Sequence, residues 1–385
     1  MDAVSVLSRQ IKRECERVRH TASALERADF SSGLTPEAAE RVTTVRQRFL
    51  KALADLDAEL QGLLPVKGSS VGAWRKLSEK REGVSVLVQE SLALLQGTVI
   101  RRDPIESQVC NLADALLLEL TSATGIERAQ LTVLAGEESF MPRTQLIRLR
   151  FAESAPWGLP VMAHEFGHLI VQEHRALVGL WGSLPLQDLF EGKPDPQKRR
   201  ELFSDLFAVY SIGPAYACTC LAMRFDPSKE AEEGADATHP SDVKRAYFIL
   251  RALDRLRDAD GDLIKPFGTM NEKLNEIWHN LRGPEALDER AAAELRDRLD
   301  AFWRKLAAQV SGARYGASRW SRAKRISDDF AAGKKAEQAL AQGDAVIDVL
   351  NGVWRWRLYN WSSYEANSQL YDERALGLLR AAARL

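Results

Sequence analysis

The chain is poor in the features that mark secreted proteins. It has four cysteines among 385 residues, and Cys218 and Cys220 are too close in sequence to form an ordinary disulfide with each other. This cysteine usage is typical of a reducing compartment. The N-terminus leads into a charged amphipathic helix rather than a signal peptide. We therefore expect a cytoplasmic protein.

An excess of basic charge is also missing. Lys plus Arg is 53 and Asp plus Glu is 54, which gives a net charge of −1 at pH 7. A nucleic-acid-binding protein would show a basic stripe, so we expect no nucleic-acid partner. The sequence shows no apolar run of the length needed to cross a bilayer, so we also expect no membrane span. The hydrophobic content of 45% is that of a globular protein, and the length allows two or three domains.

The most specific feature that the sequence does contain is the segment 164–168, which reads H-E-F-G-H. Residues four apart lie on one face of a helix, so His164 and His168 can both reach one metal ion. Glu165 can then hold the attacking water and take its proton. The breaker cluster at 156–160 precedes the motif, and apolar residues run through it, as in a buried helix. The pattern predicts one zinc ion per chain.

A catalytic zinc site needs a third protein ligand as well as an open position. His174 has the spacing of the pattern H-E-x-x-H-x-x-G-x-x-H, but Val171 stands where that pattern has its turning glycine. If the helix simply continues, His174 lies about 9 Å further along the axis than His168, at about 1.5 Å per residue. We therefore expect His174 to be out of reach of the metal.

A pair of carboxylates is the second candidate for the missing ligand. Glu201 and Asp205 are four apart on an apolar segment, and buried carboxylates need a partner. We predict that Glu201 binds the zinc and that Asp205 accepts the second ring N–H of a zinc-bound histidine, preferably His164. The alternative is an exposed acidic face at a helix N-terminus, where carboxylates are favoured.

The order H-E-x-x-H followed by E-x-x-x-D resembles the gluzincin metallopeptidases. Downstream, His239-Pro240 with Arg245 six positions after the histidine is similar to a segment of the CAAX-prenyl-protease and heat-shock-protease branch of that family. The resemblance implies that His239 or Arg245 stabilises the oxyanion of a tetrahedral intermediate. The alternative is an ordinary helix start at Pro240 with Arg245 on the surface. Tyr210 and Tyr216 are weaker candidates for the oxyanion donor.

The fold that we expect is mainly α with a small antiparallel β-sheet. A zincin-like metallopeptidase core at 126–257 would be flanked by a helical region at 1–125, beginning with a helical hairpin, and by a helical region at 258–385. Residues 144–151 alternate as a half-buried strand does. The family resemblance implies that a strand at the sheet edge binds extended peptide.

The sequence thus predicts a zinc-dependent endopeptidase that acts on a protein or peptide, and we expect one specific protein as its substrate. The helical regions would shape access or bind a regulatory partner. The alternative is a catalytically inactive zincin-like scaffold or protein-binding module with a structural or absent metal. Two points argue against this alternative. Glu165 would have no function in a structural zinc site, and a structural site usually has four protein ligands. A non-peptidase hydrolase is a third interpretation, because a fold and a site do not fix the substrate.

Overall fold

The computed structural model describes most of the chain, namely residues 3–30, 34, 36–64, 70–101, 104–126, 131–135, 139–141, 146–150, 156–181, 189–190, 193–228, 239–259, 268–282 and 287–384. The chain divides into two compact units. The first comprises Met1–Cys110 and Ala129–Phe151, and the second comprises Asn111–Arg128 and Ala152–Leu385. The strands thus group with the N-terminal helices, and the H-E-x-x-H segment groups with the C-terminal helices. The regions 1–125, 126–257 and 258–385 expected from the sequence stay predictions.

The first unit is built on three long helices, and the prediction of a mainly helical chain is confirmed by this unit and the next. The helices are α1 (Ala3–Arg27), α2 (Pro36–Gln61) and α3 (Ser70–Arg101). Helices α1 and α2 run antiparallel: Arg46 lies over the Phe30 ring near their connection, and Arg19 pairs with Asp57 further away. Their apolar faces, spaced at three and four residues, form the buried core of this unit.

The small sheet of the first unit is mixed rather than antiparallel. Its strands are β1 (Leu131–Ala135), β2 (Ser139–Met141) and β3 (Leu146–Arg150), in the order β1-β3-β2. Strand β1 pairs with β3 in parallel, and β2 pairs with β3 antiparallel. The prediction of an antiparallel sheet is therefore wrong for the β1–β3 pair. Alternating apolar residues define the faces of a strand, but they carry no information about its direction.

Helix α3 corrects a second expectation. Its segment Val71–Arg101 is long and apolar enough, by length and composition, to cross a bilayer. The expectation that no apolar run has this length is wrong by this measure, and the absence of a membrane span stays a prediction. This is weak evidence for a membrane span, because the core helix of a soluble protein passes the same test and 44% of the apolar window is buried. Among its buried residues are Glu90 and Arg101, and the Arg101 guanidinium donates to the carbonyl of Thr132.

The second unit is entirely helical in its described residues. It contains the part of α4 (Pro104–Thr124) from Asn111 onward, followed by α5 (Val161–Trp181), α6 (Pro196–Ile212), α7 (Pro214–Thr219), a π-helical turn (Cys220–Arg224), α8 (Asp242–Asp258), α9 (Gly268–Arg282), α10 (Glu289–Gln309), α11 (Ala317–Ala331), α12 (Ala336–Ala339), α13 (Val346–Tyr359), α14 (Trp361–Ala366) and α15 (Ser368–Ala382). Helix α6 is buried on every side from Glu201 to Ile212, as expected of a helix at the centre of a large core. It packs against α5, α7, α8 and α10.

Candidate metal centre

Two helices of the second unit bring together three side chains of the types that can ligate a metal ion. Helix α5 carries His164 and His168 on one face, and α6 carries Glu201. The Nε2 atoms of the two histidines are 3.1 Å apart. Each Nε2 atom lies 3.4 Å from an oxygen of the Glu201 carboxylate. The three donors are thus close enough to hold one metal ion, and the structure joins the residues that the sequence assigned to one site.

Burial differs between the two histidines. The side chains of His164 and Glu201 are 7% and 4% exposed, whereas that of His168 is 14% exposed. Glu165, the neighbour of His164 in the sequence, is also buried. The donors therefore lie below the surface, with the more accessible edge on the side of His168.

Close contact between α5 and α6 sets this geometry. Gly167 lies directly against Ser204, and a Cβ atom at position 167 would come within 2.7 Å of the Ser204 Cα. Next to this contact, the rings of Phe166 and Phe207 stack with centroids 5.6 Å apart. The sequence leaves two interpretations of Gly167 open, tight helix packing and close approach of substrate or backbone. The structure supports helix packing, which lets Glu201 of α6 approach the histidines of α5.

A methyl group at Gly167 should disturb both stability and metal binding. We expect Gly167→Ala to lower the free energy of unfolding by about 1–3 kcal/mol, because the added atom forces two packed backbones apart. Zinc affinity should fall with it, since α5 and α6 carry different ligands. Gly377 of α15 is the matched control, because a Cβ there meets no atom within 4 Å. Gly377→Ala should stabilise the protein by about 0.5–1 kcal/mol. Thermal unfolding and zinc titration of both variants test the prediction. Equal changes in stability and zinc affinity in the two variants would contradict it.

A buried carboxylate holds the ring of His164 from the side opposite Glu201. Asp205 Oδ1 lies 2.9 Å from His164 Nδ1, which is the acceptor position that the sequence predicts. The Tyr216 hydroxyl donates to the same oxygen at 2.5 Å. Arg245 donates to both Asp205 oxygens, from Nε at 2.9 Å and from a terminal nitrogen at 2.7 Å. Such partners orient a ligating imidazole and fix its tautomer.

The charges of these groups follow from their neighbours. Burial alone would raise the pKa of Asp205, but Arg245 and His164, through their charges and hydrogen bonds, together hold that pKa well below its usual range. Glu201 is also buried, and His164 and His168 hold its pKa well below the usual range. Burial would lower the pKa of His164, but hydrogen bonds to Asp205 and Glu201 raise it to about 9. Without metal, the site therefore carries a protonated His164 at neutral pH.

Zinc and protons should therefore compete for His164. In the chelated protein the raised pKa of His164 stabilises the folded state. This contribution is fully present when the pH is below 6.5, the ordinary pKa of histidine, and is lost as the pH rises to about 9. Zinc needs the neutral imidazole, so its affinity should rise about tenfold per pH unit over this range. We expect the difference in Tm between zinc-loaded and chelated protein to grow from pH 6.5 to 9. A constant difference across that range would contradict the proposed competition.

The segment that begins at His239 also reaches the site. His239 Nε2 lies 3.4 Å from Glu201 Oε1, and the His239 side chain is 58% exposed. Ser241 then caps α8 by accepting from the backbone N–H of Lys244. Arg245, one turn into α8, is not a surface residue: its guanidinium pairs with Asp205 and lies over the Phe225 ring, 5.1 Å from the centroid.

The remaining sequence candidates are His174, Tyr210 and Tyr216. Helix α5 continues without a break to Trp181, so position 174 follows His168 along the same helix, as expected if His174 is not a ligand. The His174 side chain lies outside the described residues. Tyr210 is buried with its ring against Trp303, and its hydroxyl has no hydrogen-bond partner among the described residues. Tyr216 is bound to Asp205, so neither tyrosine has the position of an oxyanion donor.

Comparisons with known proteins add no relative. No family model matches the chain, no curated protein matches it, and no solved structure matches it.

Proposed function

We propose that this chain is a zinc-dependent endopeptidase with a gluzincin-type site in a zincin-like core. The observation that carries the proposal is the spacing of the three donors. Ligands on a tetrahedral zinc, with bonds of about 2.0–2.1 Å, lie about 3.3–3.4 Å from one another. The donors of His164, His168 and Glu201 are separated by 3.1, 3.4 and 3.4 Å. Two imidazoles and one carboxylate also form a ligand set typical of catalytic zinc.

The protein groups around the donors suit peptide hydrolysis. A zinc ion bound there would supply Lewis acidity towards a carbonyl and lower the pKa of a water molecule. Glu165 lies next to His164 on α5, where it would take the proton of the attacking water and pass it to the leaving amine. Asp205, held by Arg245 and Tyr216, would keep the ring of His164 in the tautomer that leaves Nε2 for the metal.

The assignment of the oxyanion donor now favours His239. Both carboxylate oxygens of Asp205 already engage the Arg245 guanidinium, so Arg245 acts through Asp205 and not on substrate. His239 lies beside Glu201 with an accessible imidazole, where it would donate to the oxyanion of the tetrahedral intermediate. The substrate would be a protein or peptide, and cytoplasmic location and a single specific substrate stay predictions.

Metal analysis and a cleavage screen test the proposal together. Purified protein should contain about one zinc per chain, and absence of bound metal even after reconstitution would remove the site. The screen compares cellular proteins treated with zinc-loaded protein against the same proteins treated with chelated protein. New N-termini that depend on zinc identify peptide-bond cleavage and its sequence preference. Bound zinc with no cleavage would favour the inactive scaffold or a hydrolase of another substrate class.

A further inference from the structure

One tight turn joins the two helices that carry Asp205 and Tyr216. Helix α6 ends at Ile212, Gly213 has a positive φ of 70°, and α7 begins at Pro214. The turn decides where Tyr216 lies relative to Asp205, and hence how the hydrogen bonds to His164 are arranged. Whatever fixes this turn also fixes one side of the metal centre.

The Asn351 side chain of α13 makes hydrogen bonds to residues on both sides of the turn. Asn351 is fully buried, and its amide nitrogen donates to the Ile212 carbonyl at 2.8 Å. Its amide oxygen accepts from the Ala215 backbone N–H at 2.9 Å. A second hydrogen bond from the amide nitrogen, to the Ile347 carbonyl of its own helix, fixes the rotation of the amide. The Asn351 amide thus forms hydrogen bonds with the backbone of both the last residue of α6 and an early residue of α7.

The rest of the turn is enclosed as well. A Cβ at Gly213 would come within 2.6 Å of the Tyr315 ring, and the Tyr315 backbone N–H donates to the Tyr210 carbonyl of α6 at 2.7 Å. With Tyr315 on one side and Asn351 bonded to both flanks, the turn has no room to relax without breaking a buried hydrogen bond.

The same helix also holds the entrance to α5. The Arg357 guanidinium of α13 lies 4.5 Å from the Trp157 ring centroid, and Trp354 packs edge-on against the same ring at 5.2 Å. The Trp157 carbonyl in turn accepts from the Thr219 hydroxyl of α7 at 2.7 Å. Helix α13 therefore contacts both the segment that leads into α5 and the turn that follows α6.

We propose that Asn351 is a positioning residue of the metal centre, acting through the Gly213 turn on Tyr216 and Asp205. The inference rests on the proposed zinc site and deepens it. The sequence assigns the C-terminal helices to a separate flanking region. Through Asn351, these helices would instead help to orient the ring of His164. No contact of Asn351 with substrate or metal is involved.

The first test measures zinc affinity and the visible spectrum of the cobalt-loaded protein for Asn351→Ala. We expect zinc affinity about tenfold weaker, within the range for loss of a group that orients a ligand, and altered intensities of the cobalt bands. Asn271 of α9 is the matched control, because it is a buried asparagine that donates to Asp254. Asn271→Ala should keep zinc affinity within about twofold of the wild type. Equal effects of the two variants would overturn the inference.

A double-variant cycle with Tyr216→Phe separates positioning from general loss of stability. If Asn351 acts through Tyr216, the double variant should bind zinc with the same affinity as whichever single variant binds it less tightly. Affinity losses that multiply would overturn the inference. Should Asn351→Ala fail to fold, Asn351→Asp retains the shape and the acceptor oxygen, and the same cycle applies to it. None of these readouts requires peptide cleavage, so wild-type protein that binds zinc without hydrolysing peptides would reject the proposed function and leave this test intact.

Discussion

Glu165→Gln is expected to abolish peptide cleavage while leaving zinc bound. Glutamine has the same shape as glutamate but cannot take a proton from water, and a positioned general base contributes about 10²–10⁴-fold to a rate. His164, His168 and Glu201 are unchanged, so the three donors keep their spacing. We expect kcat to fall by about 10³-fold or more, with KM nearly constant, because the carboxylate acts on the water rather than on bound substrate.

The control for this variant is the same substitution at an exposed position of the same unit. Glu294 of α10 is half exposed and pairs with Arg290 on its own helix, so Glu294→Gln should change neither zinc content nor kcat. Turnover of Glu165→Gln within a few fold of the wild type would remove Glu165 as the base. Loss of zinc from Glu165→Gln would instead show that this carboxylate belongs to the ligand set.

The features that sequence could predict are those fixed by one helix. The spacing of His164 and His168 places both side chains on one face wherever the helix lies, and the same holds for Glu201 and Asp205. Glu201 follows His168 by 33 residues, yet its pairing with the motif could still be predicted from chemistry, because a buried carboxylate pair needs a cationic partner. The contact between Gly167 and Ser204 then brings the two helices close enough together.

The features that sequence could not predict depend on turns and on contacts between distant elements. Tyr216 lies on α7 and Asp205 on α6, so their hydrogen bond depends on the turn at Gly213 between the two helices and not on spacing within one helix. Arg245 was recognisable as a residue of the site, but whether it faced substrate or a buried carboxylate depended on how α8 packs on α6. The direction of β1 relative to β3 is a further example, since both directions give the same alternation of faces.

Glu201→Ala is expected to weaken zinc binding by about 10²–10³-fold, roughly the share of one ligand in the binding free energy of a protein zinc site. His174→Ala should change zinc affinity by less than about twofold, because six further residues of continuous helix carry position 174 about 9 Å beyond His168. Competition with a chromophoric chelator measures both affinities, and the cobalt spectrum reports the number of ligands. The two variants separate the alternatives because each removes one candidate for the third ligand and leaves the other in place. A loss of affinity in His174→Ala with none in Glu201→Ala would require α5 to bend after His168, and would replace the gluzincin-type site by a metzincin-like one.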